Sequence, residues 1–191
     1  MSLPQDTASA IPMAGNYISP DDRVTGSSED FEAGGVAVQD TTQGLSAYVW
    51  RLWVDGLDVK LQREGASATV LFQQAAIQEV ALAFDQAMRP QVAYTVGGAM
   101  YLRWYDSVPQ AYVVSSFGAG RNPRLTLDDK RLSQISRSDV IFAYLRGDGL
   151  YYRQQRDRFA TERTLRTGIA SSLRLRNIGM NKNLRLQFEL V

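Results

Sequence analysis

Two glycine-broken aromatic hairpins, 50 residues apart, restrict this chain to a repeated antiparallel β architecture. In the later copy the apolar run Val140-Ile141-Phe142-Ala143-Tyr144-Leu145 enters Gly147-Asp148-Gly149 and leaves through Leu150-Tyr151-Tyr152. In the earlier copy Val92-Ala93-Tyr94 enters Gly97-Gly98 and leaves through Met100-Tyr101-Leu102-Arg103. Tyr94, Tyr101 and Arg103 thus match Tyr144, Tyr151 and Arg153 at one offset. β-branched and aromatic runs on either side of a Gly/Asp turn predict hairpins. A fainter copy lies around Asp55-Gly56, between Trp53-Val54 and Val59-Lys60-Leu61.

Each hairpin predicts a larger unit around it. Residues 79–84, 92–96, 100–105 and 111–114 form four strands joined by polar turns, a meander of the kind that makes one propeller blade. Residues 124–129 (RLTLDD) echo residues 81–86 (ALAFDQ) and open a second such unit. That unit runs through a polar insert at 130–137, the later hairpin, and residues 159–167, which suit a fourth strand or a short helix. An earlier unit covers residues 48–72 with three strands, and residues 73–78 suit a helical turn or a loop. The alternating stretches 173–176 and 184–190 read as strands. The last of these is expected to complete the first unit, joining the two chain ends in one blade. The expected fold is all-β: antiparallel meanders of about three blade-like repeats, partial or small propeller-like, below the four to eight blades of a typical propeller.

Residues 1–45 behave differently. They are rich in Ser, Thr, Asp, Gly and Pro, and their apolar residues follow neither helical nor strand period. They predict an extended N-terminal arm preceding a β-repeat body at 46–191, with residues 31–38 able to add one strand to a sheet edge. Charge divides the same way. Residues 1–45 carry one base and seven acids, residues 46–120 five and six, and residues 121–191 fifteen and seven. An acidic head and a basic tail suit association between copies. The arm residues expected to dock on a neighbour are Asp21, Asp22, Glu29, Asp30, Phe31 and Glu32.

Composition excludes several chemistries. The chain has no Cys and no His. Thiolate zinc sites, cysteine nucleophiles, Ser-His-Asp triads and the usual general base near neutral pH are therefore absent. No cofactor or metal is implied, and an enzyme is not expected. No apolar run is long enough for a membrane-spanning helix, and the first residues lack the basic region and apolar core of a secretory leader.

The remaining motifs have local explanations. Asp128-Asp129 are adjacent carboxylates, but neighbours on a strand or turn point apart, and Asp85 stands in Asp128's place in the other repeat; turn capping is the expected role. Asp55, Asp58 and Asp148 are read in the same way, and the Asp55–Asp58 spacing lacks the further ligands of a calcium loop. Gly118-Ala119-Gly120-Arg121 has no Lys-Ser/Thr after it and reads as an inter-blade turn rather than a phosphate loop. Trp50, Trp53, Trp104, Tyr105, Tyr151 and Tyr152 lie at strand spacing, which favours cross-strand packing over ligand stacking. The most pointed polar run contains Arg153, Gln154, Gln155, Arg156 and Arg158. It is expected at a contact between subunits, with DNA phosphates in a channel or solvent as the alternatives.

Several runs carry a resemblance. LAFDQAMRPQVAY (82–94), YLRWYDSV (101–108), PRLTLDDKR (123–131) and SDVIFAYLRGDGLYYRQQRDRF (138–159) resemble repeats in virion proteins of tailed bacteriophages. The likeness is to tail proteins of the propeller-like nozzle and tail-tip kind and covers roughly residues 48–191; GNYISPDDR (15–23) is also similar to short virion proteins. The resemblance implies a non-enzymatic structural protein in several copies, ringed about the tail axis. Its implied partners are copies of itself, other tail proteins and non-specific DNA in the tail channel. It would be made in the host cytoplasm and reside in the virion tail. The chain is much shorter than a full nozzle protein. A carbohydrate-binding β-propeller module for attachment to the host surface is the alternative reading; it requires exposed aromatics outside the core.

Overall fold

A computed structural model describes residues 16–17, 32–41, 44–128, 138–181 and 183–191. The first sheet contains β1 (Asn16–Tyr17), β2 (Glu32–Thr41), β3 (Gly44–Asp55), β4 (Asp58–Arg63) and β5 (Thr69–Gln73). The second contains β6 (Ile77–Phe84), β7 (Pro90–Val96), β8 (Ala99–Asp106) and β9 (Ala111–Ala119). The third contains β10 (Arg121–Leu127), β11 (Val140–Arg146), β12 (Gly149–Gln154) and β13 (Arg163–Arg166), with a short 3-10 turn at Gln155–Asp157. A final two-stranded sheet pairs β14 (Leu175–Met180) with β15 (Leu186–Leu190). In all four sheets strands pair antiparallel with their sequence neighbours. The fold is all-β.

The two repeated hairpins have equivalent registers. Tyr94 lies opposite Tyr101, and Tyr144 opposite Tyr151. Gly97 and Gly98 have φ of +58° and +74°, the double positive φ of a type I′ turn. Such a turn matches the right-handed twist of its strands, and glycine enters it without steric penalty.

The sheets pack face to face, which explains the sequence pattern. Along a strand, successive side chains point to opposite faces. On β6, Val80, Leu82 and Phe84 join Leu52, Val59 and Leu61 in a core between the first and second sheets. Ala81 and Ala83 turn the other way, joining Met100, Leu102, Trp104, Leu125, Phe142 and Tyr144 between the second and third sheets. β11 divides likewise: Ala143 and Leu145 meet Leu150, Leu175 and Ile178 beneath the C-terminal hairpin. A strand covered on both faces has no polar side, and every residue of Val140–Leu145 is buried. β4 has only one covered face, and there Val59 and Leu61 are buried between less buried neighbours.

The sheets approach one another along their early strands: β2 lies beside β6, β6 beside β10, and β10 beside β14. The outer face of the last sheet is polar, while that of the first mixes polar side chains with exposed Val49 and Val70. Arg51, Lys60 and Gln62 alternate with the buried residues of the first sheet, and Gln187 and Glu189 alternate with Leu186, Phe188 and Leu190 of the last. Arg176 and Glu189 form an ion pair across that last hairpin at 3.6 Å.

Three expectations change. The C-terminal strand does not complete the first sheet; β15 pairs with β14, because Leu186, Phe188 and Leu190 find their apolar cover on the third sheet. The first sheet takes its extra strand from β2 instead, which runs beside β3 from Glu32 opposite Trp53 to Thr41 opposite Gly44. Ala33 sits in the first core, so the β body reaches into the segment assigned to the arm. The chain forms four sheets rather than three repeats. Of residues 73–78, Gln73 closes β5, Ile77 and Gln78 open β6, and residues 74–76 form the short turn between them. The polar insert at 130–137 lies outside the described residues.

Each core is load-sharing between two sheets, so truncation there should be costly. Phe142→Ala is expected to destabilise by about 3–5 kcal/mol, and Val114→Ala, at an exposed position, by less than about 0.5 kcal/mol. Denaturant midpoints of the two variants check this; equal shifts would contradict the packing described.

Candidate functional site

The polar groups that bind the sheets together converge on Asn122. The link from β9 to β10 passes through Gly120, where an added Cβ would lie 2.3 Å from Met100 Cε. The Gly120 amide donates to Gly98 O at 3.0 Å. Asn122 follows with φ +50°, a left-handed conformation that asparagine tolerates better than most residues. This irregularity shifts the register of β10 on β11 and turns the Asn122 side chain between sheets.

Asn122 Nδ2 donates to Glu79 Oε1 at 2.6 Å, and its backbone amide donates to Glu79 Oε2 at 2.9 Å. Thr95 Oγ1 donates to the same carboxylate at 3.3 Å. Asn122 Oδ1 accepts from the Leu175 amide at 3.3 Å. One buried amide therefore ties the second, third and fourth sheets. Beside it Arg121 Nη1 donates to Leu173 O at 2.5 Å, and Arg124 Nε donates to Arg176 O at 2.8 Å. Both anchor the C-terminal hairpin to the third sheet.

An open cleft of about 490 Å³ lies above this node, lined by Gln78, Glu79, Thr95, Arg121, Ser171 and Arg174 among others. No aromatic residue lines it. Its carboxylate is already held by the Asn122 and Thr95 donors, so its evident work is structural. Among the described residues no group of three or more acidic side chains is arranged to hold a metal ion.

The arginine run has partners within the chain. Arg153 donates through Nε to Tyr144 Oη at 2.9 Å and through Nη1 to Phe159 O and Ala160 O at 2.9 and 2.8 Å. Arg156 binds Asp128 and lies 3.2 Å from Asp139 Oδ2. Arg158 reaches Asp106 at the edge of the second sheet, bridging the second and third sheets. Gln155 Oε1 accepts from the Val140 amide at 3.2 Å, and Gln154 lies opposite Ile141 in the strand register. Residues expected to face a neighbouring subunit or DNA are thus positioned by contacts inside the fold. Arg156 and Arg158 remain exposed alongside these contacts.

The acidic residues read as turn caps act as such. Asp85 Oδ1 accepts from the Ala87 and Arg89 amides at 2.9 and 3.0 Å, and Asp128 Oδ1 accepts from the Asp139 amide at 2.8 Å. Each also pairs with an arginine, Arg89 and Arg156 respectively. Asp55 pairs with Lys60, Asp58 Oδ1 accepts from Gln73, and Asp148 Oδ2 accepts from the Gly168 amide. Asp129 and the arm residues Asp21, Asp22, Glu29, Asp30 and Phe31 lie outside the described residues. Glu32 begins β2.

The aromatics pack as strand spacing suggested. Trp50 meets Phe84 across the first core, and Trp104 meets Phe159 across the second. Trp53 stacks under Arg51, and Tyr105 and Tyr112 meet edge to face. Sequence reasoning did not single out Asn122, Glu79 or the Tyr144–Glu162 pair. The signals were a Gly-x-Gly-x-Asn-Pro run and an acid inside an otherwise apolar strand.

Tyr144 is buried and hydrogen-bonded to Glu162, which also binds Arg146 and Arg153. Burial, then the Glu162 contact, pushes the phenol up to about 12 from an ordinary value of 10.0, against the opposing effect of Arg153. The native state therefore keeps a proton that the unfolded chain releases near pH 10, so this contribution to stability is full below that pH and is lost between about pH 10 and 12. Burial raises Tyr94 and Tyr112 in the same direction.

No protein-family model matches the chain, and no curated protein or solved structure matches it significantly.

Two outcomes follow from this geometry. Stability of the native chain should fall more steeply across pH 10–12 than that of Tyr144→Phe, which keeps only the slope due to the other tyrosines; parallel pH profiles would contradict it. Asn122→Ala should cost about 1–3 kcal/mol for the buried partners it leaves unsatisfied. Asn122→Gly, which permits the positive φ, should recover only part of that loss in denaturant titrations. Full recovery would make backbone strain, not the amide, the decisive term.

Proposed function

We propose that this chain is a non-enzymatic structural protein of a phage tail, present in several copies in the tail-tip, nozzle or connector region. The observation that carries the reading is the unfinished stack. Three sheets of four or five strands are followed by one of two, so the last sheet reaches the width of its neighbours only when another chain contributes. Uncovered strand edges recruit strands from other molecules, a liability in a monomer and an asset in an assembly. The polar outer face of the last sheet directs neighbours to its edge rather than to that face. The acidic N-terminal segment and basic C-terminal third favour head-to-tail order among copies in a ring. The resemblance of residues 82–94, 101–108, 123–131 and 138–159 to phage tail repeats points the same way, and a complete closed propeller is not required for it.

The carbohydrate reading is weaker. It needs exposed aromatics, and every Trp, Tyr and Phe whose burial is described is at least half-buried.

Because Ala33 belongs to the first core, the arm is best removed before β2. Deleting residues 1–31 should leave a folded β body that no longer assembles, as read by circular dichroism and native mass measurement. Assemblies of unchanged size would overturn the role given to the arm. Locating the subunit on intact virions by labelling and electron microscopy tests the tail position itself.

A further inference from the structure

The account of the arm does not say where it docks. Resting on that reading, we infer that the free edge of β15 receives residues 18–31 of a second copy as an added strand.

The edge is prepared for a strand on one side only. Among the described residues β15 pairs with β14 alone, yet the third sheet beneath it continues through β12 and β13. Leu186, Phe188 and Leu190 of β15, with Tyr152 and Leu165 of the third sheet, are only partly covered and form one apolar surface. An extended segment lying beside β15 covers them while pairing its backbone along the edge, the usual mode of strand addition.

Charge selects the occupant. Residues 163–191 hold six bases and one acid; Arg166 on β13 and Arg185 just before β15 are exposed, while Arg174 pairs with Glu79. Residues 18–31 hold Asp21, Asp22, Glu29 and Asp30 against Arg23, with Ile18, Val24 and Phe31 to meet the apolar surface. The β15 of a second copy does not fit. Antiparallel pairing of the two edges would place its third sheet on the same side, in the volume held by β12 and β13. The occupant must be a segment with no sheet attached.

The chain's lack of cysteine makes the test direct. A peptide of residues 18–31 carrying Val24→Cys, supplied as its thiopyridyl mixed disulfide so that thiopyridone leaves when the protein thiolate attacks, is mixed with full-length chains bearing a single cysteine. One chain carries Gln187→Cys on β15; the other carries Ser116→Cys on β9, the outer strand of the second sheet. Both positions are exposed, so neither substitution threatens folding. Mixed-disulfide formation is expected to be about tenfold faster at 187, because docking raises the local thiol concentration. Adding Arg166→Glu and Arg185→Glu, or raising the salt, should abolish the difference. Equal rates at the two positions, or a preference insensitive to both changes, would overturn the inference. If deletion of residues 1–31 blocks assembly while the peptide ignores position 187, the arm reading stands and this docking place does not.

Discussion

Everything in this structure follows from the need to cover both faces of a β-sheet. A sheet with one apolar face needs a single partner; a sheet with two needs one on each side. The second and third sheets are of the latter kind, and the chain satisfies them by stacking four sheets in sequence order. The third sheet is central: Phe142 and Tyr144 pack toward the second sheet, and Ala143 and Leu145 toward the C-terminal hairpin. Small residues on one sheet meet large ones on the next, as Ala81 and Ala83 meet Phe142 and Tyr144. Dense packing of this kind ties adjacent sheets into one cooperative unit.

Apolar packing has no direction, and polar contacts supply it. Asn122 joins three sheets through Glu79 and the Leu175 amide. Gln86 Nε2 donates to Ser138 O at 2.6 Å, fastening the second sheet to the third near the start of β11. Arg158 does the same from the other side by reaching Asp106. The buried Asn122 node in particular sets how its sheets sit on one another, since a shift would leave several polar groups unsatisfied at once.

Much of the architecture was legible in the residues. The hairpins around Gly97-Gly98 and Gly147-Asp148 stood out because turn glycines and flanking aromatics are local signals. Matching Asp85 with Asp128 correctly identified two equivalent turn caps. The partners of whole strands were less legible. β15 alternates equally well against any apolar surface, and only the position of Tyr152 and Leu165 decides that it covers the third sheet. β2 was legible as a strand, since residues 31–38 were read as able to join a sheet edge, but its partner β3 and its extension to Thr41 were not, because Gly34-Gly35 and the flanking polar residues do not alternate. The arginines at 153, 156 and 158 looked like surface charges because their partners, Glu162, Asp128 and Asp106, are remote or unremarkable in sequence.

The central claim is that the fourth sheet is half-built in a single chain and completed by another. Amide hydrogen exchange along β15, compared between dilute monomer and assembled material, addresses it most directly. The account predicts that the β15 amides facing away from β14 exchange readily in the monomer and become protected on assembly, while β11 is protected in both. Strong protection of those outward amides in the monomer, or no change on assembly, would contradict it.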